Sequence, residues 1–292
     1  MRPSRDLAPV ESSGLALRGV SVRFGGLTAL DDVSLTVPPG RVVGVIGPNG
    51  AGKTTLFNVV CGFVRPTTGS LTLHGRPMRP RPDRLTSLGI ARTLQGVGLF
   101  PGLTVLENVM AGATHRARAG FVSALLGLPA SDRDEARLRE TAMAALDELG
   151  VAKQAHVLPG VLPHALGKRV ALARALVGSP SLLLLDEPAG GLSSEDIAEL
   201  ATLIRGLPER GGGSCSVLLV EHHMDLVMEV CDEIVVLDFG RRIAGGTPQE
   251  IRDDPAVAEA YLGAVVDDDV ELPGAVHPGV QSGTTAGRGA SS

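Results

Sequence analysis

Lysine is nearly missing from this chain. Lys53, Lys153 and Lys168 are the only three among 292 residues, a bias toward arginine that carries no function by itself. A basic surplus is missing too. Lys and Arg number 27 against 32 Asp and Glu, for a net charge of −5 and a pI near 5.8. Nucleic acid is therefore not expected as a partner, because binding to a phosphate backbone draws on positive excess. No apolar run approaches the roughly 18 residues of a bilayer span, so no membrane crossing is expected. Met1 to Ser13 is polar and has no apolar segment of the secretory type, so no signal peptide is expected. Cysteine is limited to Cys61, Cys215 and Cys231, an odd number without metal-binding spacing, which fits reduced thiols in a cytosolic protein. No internal repeat is visible.

The chain is 43% hydrophobic and 20% charged, with 38 Gly and 20 Pro. That is enough for one large α/β domain or two small ones and argues against wholesale disorder. Residues 1–14 read as a flexible arm. The tail at 264–292 holds Asp267, Asp268, Asp269 and Glu271 against Arg288, then Gly, Ser, Thr and Ala. Its composition cannot build a core, so disorder is expected there.

Between these ends, strand and helix patterns alternate. Leu15–Phe24 and Ala29–Val37 alternate apolar and polar residues, as half-exposed strands do. Arg41–Ile46, Ser181–Leu185 and Ser216–Val220 are nearly all apolar, as in strands covered on both faces. Asp232–Ala244 suggests two strands around a turn at Gly240. Residues 97–178 have a helical texture. Ser131 and Asp134 form a capping pattern, Leu138, Ala142, Ala145, Leu146 and Leu149 share one face, and Gly150 is a stop. Ala165–Val177 is a further helix candidate. This stretch reads as a helical subdomain inserted into an α/β core.

Four sites carry chemistry. The first is the run Gly47, Pro48, Asn49, Gly50, Ala51, Gly52, Lys53, Thr54, Thr55, which matches G-x-x-x-x-G-K-[ST] between a buried strand and a helical stretch. Glycines let several backbone N–H groups point at one phosphate chain, and the following helix directs its positive end at the same anion. Lys53 reaches the β- and γ-phosphates, and Thr54 offers a hydroxyl to Mg²⁺. The second is Asp186-Glu187-Pro188 after a buried strand, about 130 residues beyond the loop. There Asp186 can hold Mg²⁺ through water and Glu187 can polarise the attacking water. The third is His222, at the end of another buried strand, where open α/β sheets place ligand contacts; its neighbour His223 is expected to be exposed and without a role. The fourth is Gln95, at the join between core and helical stretch.

In this order the four resemble the nucleotide-binding subunit of an ABC transporter, over about Leu15 to Gly263. The resemblance makes Gly47–Thr55 the Walker A loop, Gln95 the Q-loop glutamine and a metal contact beside Thr54 and Asp186, Asp186 the Walker B aspartate, Glu187 the catalytic glutamate and His222 the switch histidine. Ala189–Ser193 stands at the D-loop. Phe24 stands where the family often stacks an aromatic on adenine; a strand-end core Phe is the alternative. The phrases Phe24–Leu30, Leu99–Val109, Val220–Met224, Gly246–Ile251 and Ala260–Gly263 narrow the resemblance to branched-chain amino acid importers, with urea importers close by.

One element departs from the pattern. Where the family carries Leu-Ser-Gly-Gly-Gln, and this subfamily often Leu-Pro-Tyr-Gly, this chain has Leu162, Pro163, His164, Ala165, Leu166 and Gly167. Pro163 and His164 are near the subfamily's usage, whereas Ala165 replaces a glycine and Leu166-Gly167 replace polar residues. Pro163 lacks a hydroxyl and an N–H, Ala165 adds a Cβ, and Leu166 is expected to add apolar bulk beside a partner-bound phosphate.

The expected fold is thus a P-loop ABC ATPase core of α/β class, with an N-terminal antiparallel β subdomain and an inserted helical subdomain. The resemblance implies Mg²⁺-dependent ATP hydrolysis powering solute import at the cytoplasmic face of the plasma membrane. It implies permease subunits, an extracytoplasmic solute-binding protein and a second ATPase subunit as partners. The altered signature suggests a heterodimer. Alternatives are a non-hydrolysing regulatory subunit, opposed by the intact Lys53, Asp186, Glu187 and His222, and a urea or amide importer ATPase. A soluble cassette acting in translation or DNA repair would show two cassettes or a long coiled coil, and neither is present.

Overall fold

Alternation in the first strands and continuous apolar runs in the central ones produce two different sheets. The computed structural model describes residues 14–93, 97–113, 129–212 and 215–264. Strands β1 (Leu15–Phe24), β2 (Leu27–Val37), β4 (Thr68–Leu73) and β5 (Arg76–Met78) form an antiparallel sheet in the order β2-β1-β4-β5. The second sheet has the order β10-β9-β3-β8-β7-β6, from β3 (Val42–Ile46), β6 (Ile90–Arg92), β7 (Leu182–Asp186), β8 (Ser216–Val220), β9 (Glu233–Asp238) and β10 (Arg241–Gly246). All its pairings are parallel except β9 with β10.

Period-two geometry explains why the central strands tolerate no polar alternation. Val43 and Val45 of β3, with Leu218 and Val220 of β8, face a core shared with the antiparallel sheet and helix α1 (Lys53–Cys61). Val42 and Ile46, with Val217 and Leu219, face a second core on the opposite side. Helices α2 (Val105–Gly112), α3 (Pro129–Glu148), α4 (His164–Leu176), α5 (Ser194–Gly206), α6 (Met224–Val230), α7 (Pro248–Arg252) and α8 (Pro255–Ala264) complete the described order, and buried residues of each of α2 to α7 join that second core.

Local signals set the helix ends. Thr104 and Glu107 form a reciprocal capping box on α2, and Thr247 and Glu250 do the same on α7. Asn108, fully buried on α2, donates to the carbonyls of Phe100, Leu103 and Thr104 and accepts from the Phe100 N–H at 2.7 Å, which fixes the loop before the helix. Helix α3 starts at Pro129, so the expected cap Ser131 lies inside it, and α4 starts one residue ahead of the expected Ala165. The arm, except for Gly14, and all of the tail but Ala264 lie outside the described residues.

Candidate functional site

The site forms where the parallel strands end. In the register of the sheet, Val45 of β3 stands opposite Val220 of β8, and Val220 stands opposite Asp186 of β7. Asp186 is therefore level with the entry to the Gly47–Thr55 loop, two strands or about 10 Å away.

The loop itself needs its glycines. A Cβ on Gly47 (φ +151°) would run into the Leu237 carbonyl of β9. One on Gly52 (φ +99°) would lie 2.7 Å from the Ala29 oxygen. The loop is thus pressed between the β9–β10 turn and the β1–β2 hairpin. The Gly240 N–H donates to the Ala51 carbonyl at 3.1 Å, and the Asp31 N–H donates to the Gly240 carbonyl at 2.8 Å. Gly52 is the N-cap of α1, and the first turn of that helix holds no acidic residue, so its positive end is unopposed. Lys53 folds back over the loop, its Nζ donating to the carbonyls of Gly47 (2.6 Å) and Pro48 (3.0 Å). Burial pushes its pKa below the ordinary lysine value, and the Glu187 carboxylate partly counters this. Thr54 is exposed on the first turn.

Asp186 is buried. Its Oδ2 accepts from Arg92 Nη2 at 2.7 Å, and its backbone N–H lies 3.4 Å from Thr93 Oγ1. Burial works against the Arg92 cation, but the hydrogen bond to Asp186 and the nearby Cys61 raise its pKa above the ordinary arginine value. Glu187 follows with φ +47°, a left-handed conformation uncommon for a residue with a side chain. Its N–H donates to the Val220 carbonyl at 2.9 Å.

His222 sits at the end of β8 with its side chain 55% exposed, over the adjoining His223 ring at a centroid distance of 4.4 Å. His223 departs from expectation. It is half-buried, and its Nδ1 lies 3.1 Å from Glu221 Oε2. Glu221 is fully buried, accepts from both histidine backbone N–H groups, and takes the Ala189 N–H on Oε1 at 2.7 Å. The buried carboxylate of Glu221, two residues earlier in the chain, holds His223 inward.

Phe24 is 51% exposed at the end of β1, which removes the alternative of a core side chain. Gln95 lies outside the described residues. The altered signature begins α4, with Pro163 as an N-cap that makes no side-chain bond. Leu166 packs, partly buried, against the helical core. Leu162, on the extended backbone just ahead of the helix, packs partly buried against the same core. At Gly167 a Cβ would meet Val97 at 3.1 Å. Arg92, Glu221 and Lys168 are site-lining residues that the linear reading missed. Their charge inside or beside apolar runs was the only signal.

The arrangement suits a nucleoside polyphosphate. An N–H-lined loop, a helix N-terminus and a lysine face one point, and an acidic pair lies across from them. The donor set Thr54 and Asp186, one hydroxyl and one carboxylate, is the hard-oxygen chemistry Mg²⁺ takes. Fold and site together define a P-loop nucleotide hydrolase built as an ABC cassette.

Comparison with known proteins agrees. The family model described as "ABC transporter" matches residues 30–190, and the one described as "Branched-chain amino acid ATP-binding cassette transporter" matches 241–267. The high-affinity branched-chain amino acid transport ATP-binding protein LivG of Salmonella typhimurium is 40% identical over 250 residues, 85% of this chain and 97% of that protein. BraF of Pseudomonas aeruginosa, of the same description, is 40% identical over the same shares. A crystal structure of an ATP-binding cassette of an ABC transporter in its ADP conformation superposes with a TM-score of 0.73 at 29% identity, covering 86% of this chain and 99% of that one. The chain belongs to the ABC transporter family of ATP-binding proteins, and it is an ATPase.

Proposed function

We propose that this chain hydrolyses ATP to drive import of branched-chain amino acids, from the cytoplasmic face of a membrane complex. The reading is carried by one observation: the loop of Gly47–Thr55, the carboxylates of Asp186 and Glu187, and His222 all follow the C-terminal ends of three neighbouring parallel strands, β3, β7 and β8. The names of the LivG and BraF relatives supply the solute class. Among the described residues no helix is long and apolar enough to cross a membrane. From the family and the names of these relatives, permease subunits and an extracytoplasmic solute-binding protein are the proposed partners.

In this reading the loop N–H groups and Lys53 bind the phosphates, and Phe24 stacks on adenine. Thr54, Asp186 and Gln95 would hold Mg²⁺, which would supply neutralisation of the negative charge of the phosphates. Glu187 accepts hydrogen bonds from the attacking water and orients it, and His222 hydrogen-bonds to the γ-phosphate.

The second ATPase subunit is proposed to be a different chain. Pro163 places neither a hydroxyl nor an N–H at the head of α4, and Ala165 puts a Cβ in its first turn. That end offers a nucleotide held by a partner fewer contacts than the family pattern does.

The test is reconstitution of the assembled complex in vesicles. ATP turnover coupled to leucine, isoleucine or valine uptake supports the reading. Turnover coupled to urea instead overturns the solute class but not the ATPase.

A further inference from the structure

Helix α4 does more than begin with the altered signature. His164 and Lys168 are four residues apart, so they share a face. That face meets the segment following the β7 strand. Lys168 Nζ donates to the Pro188 carbonyl at 2.7 Å and to the Glu187 carbonyl at 3.3 Å. His164 Nε2 lies 3.4 Å from the Gly190 carbonyl. From the other side, the fully buried Glu221 takes the Ala189 N–H, and the Val220 carbonyl takes the Glu187 N–H. Within the segment the Gly190 N–H turns back to the Glu187 carbonyl at 3.3 Å and the Leu192 N–H to the Ala189 carbonyl at 3.0 Å. The backbone polar groups of residues 187–190 are thus met partly by these turn bonds and partly by side chains from two distant elements, not by a ladder or a helix. At the centre is Glu187, held at φ +47°. A left-handed non-glycine residue persists where its surroundings over-determine it.

We propose that Lys168 is a positioning residue for Glu187. Its ammonium ties the Glu187 and Pro188 carbonyls to α4, with Glu221 as the opposing anchor, so that the direction of the Glu187 carboxylate depends on the placement of that helix. Lys168 touches no reacting atom. The proposal rests on the reading of Glu187 as the group that activates water.

The experiment uses the full-length chain in its complex. Lys168→Met keeps the aliphatic stem and removes the ammonium. Amide hydrogen exchange in residues 187–192 rises about tenfold in this variant, while β7, β8 and α4 keep their protection. Turnover falls about tenfold at unchanged KM for ATP, and Lys168→Arg, which keeps a donor, restores most of it. Unchanged exchange in 187–192 overturns the proposal. So does a loss of protection spread across the strands, which would make Lys168 a general stabiliser. Glu187→Gln, run in parallel, separates the two ideas. Parental turnover in that variant sinks the role of Glu187, whereas the exchange data decide the clamp on their own.

Discussion

Arg92 and Asp186 form a buried ion pair across the edge of the sheet. Arg92 Nη2 lies 2.7 Å from Asp186 Oδ2, with side chains 15% and 5% exposed. Arg92 also stands over the Phe57 and Phe63 rings, 5.9 Å from each centroid. Removing one member of such a pair leaves an uncompensated charge. Arg92→Met is expected to lower unfolding free energy by about 3–5 kcal/mol, and adding Asp186→Asn to it should recover part of that loss. Denaturant unfolding of both single variants and the double variant measures the coupling. Strict additivity would show that the two side chains do not depend on each other.

Lys53→Ala is expected to abolish hydrolysis and weaken nucleotide binding by about 2–5 kcal/mol, because a charge-assisted contact to phosphate in a part-desolvated site is lost. Fluorescent-nucleotide titration and turnover in vesicles provide the two readouts. Unchanged turnover would remove the phosphate-binding role of the loop.

Glu187→Gln should leave ATP affinity within about threefold while turnover drops by two orders of magnitude or more, since an amide keeps the shape but not the basicity. Size-exclusion chromatography with ATP should then show a trapped closed dimer. A variant as fast as the parent would reassign the activating group.

The reduced contacts at the head of α4 predict unequal sites. Lys53→Ala here should lower total turnover about tenfold more than the matching lysine change in the partner chain. Equal losses, or fast hydrolysis by a homodimer of this chain alone, would mean that Pro163 and Ala165 are tolerated without consequence.

The thiols give a pH signature. Burial pushes Cys215 up to about 11, with Arg210 partly countering, and Cys231 up to about 12, with Asp232 adding to the effect. At pH 8 the thiolate fraction of Cys231 is about one in ten thousand, so labelling of the native protein should be negligible and labelling in guanidinium complete. Unfolded thiols ionise from about pH 9, whereas the folded ones stay protonated. The stability they contribute is therefore present below pH 9 and drains away as pH rises toward 12. Rapid modification of native protein at pH 8 would contradict the burial.

Much of the site was legible because its residue types answer to backbone demands. Gly47 and Gly52 sit where a Cβ would strike another strand, and Lys53 must follow at the head of a helix. The run Leu182–Asp186 is apolar because both its faces are covered. The less legible parts have partners remote in the chain. Arg92 acquires meaning from Asp186, 94 positions away, and Glu221 from Ala189, 32 positions away. Strands β4 to β6 were not foreseen for a local reason. Gly69 in β4 takes φ +90°, β5 contains Pro77, and β6 has only three residues, so none repeats a pattern long enough to read.

The mounting of the phosphate loop bears on how the protein is made. Gly47 to Thr55 leave the ribosome early, yet the Leu237 and Gly240 backbone that backs the loop follows roughly 190 residues later, an interval of about 10–40 s at ordinary elongation rates. Throughout that interval the nascent loop has no wall on its β9–β10 side. The contacts with Leu237 and Gly240 join the phosphate loop to backbone that is among the last of the described strands to be synthesised.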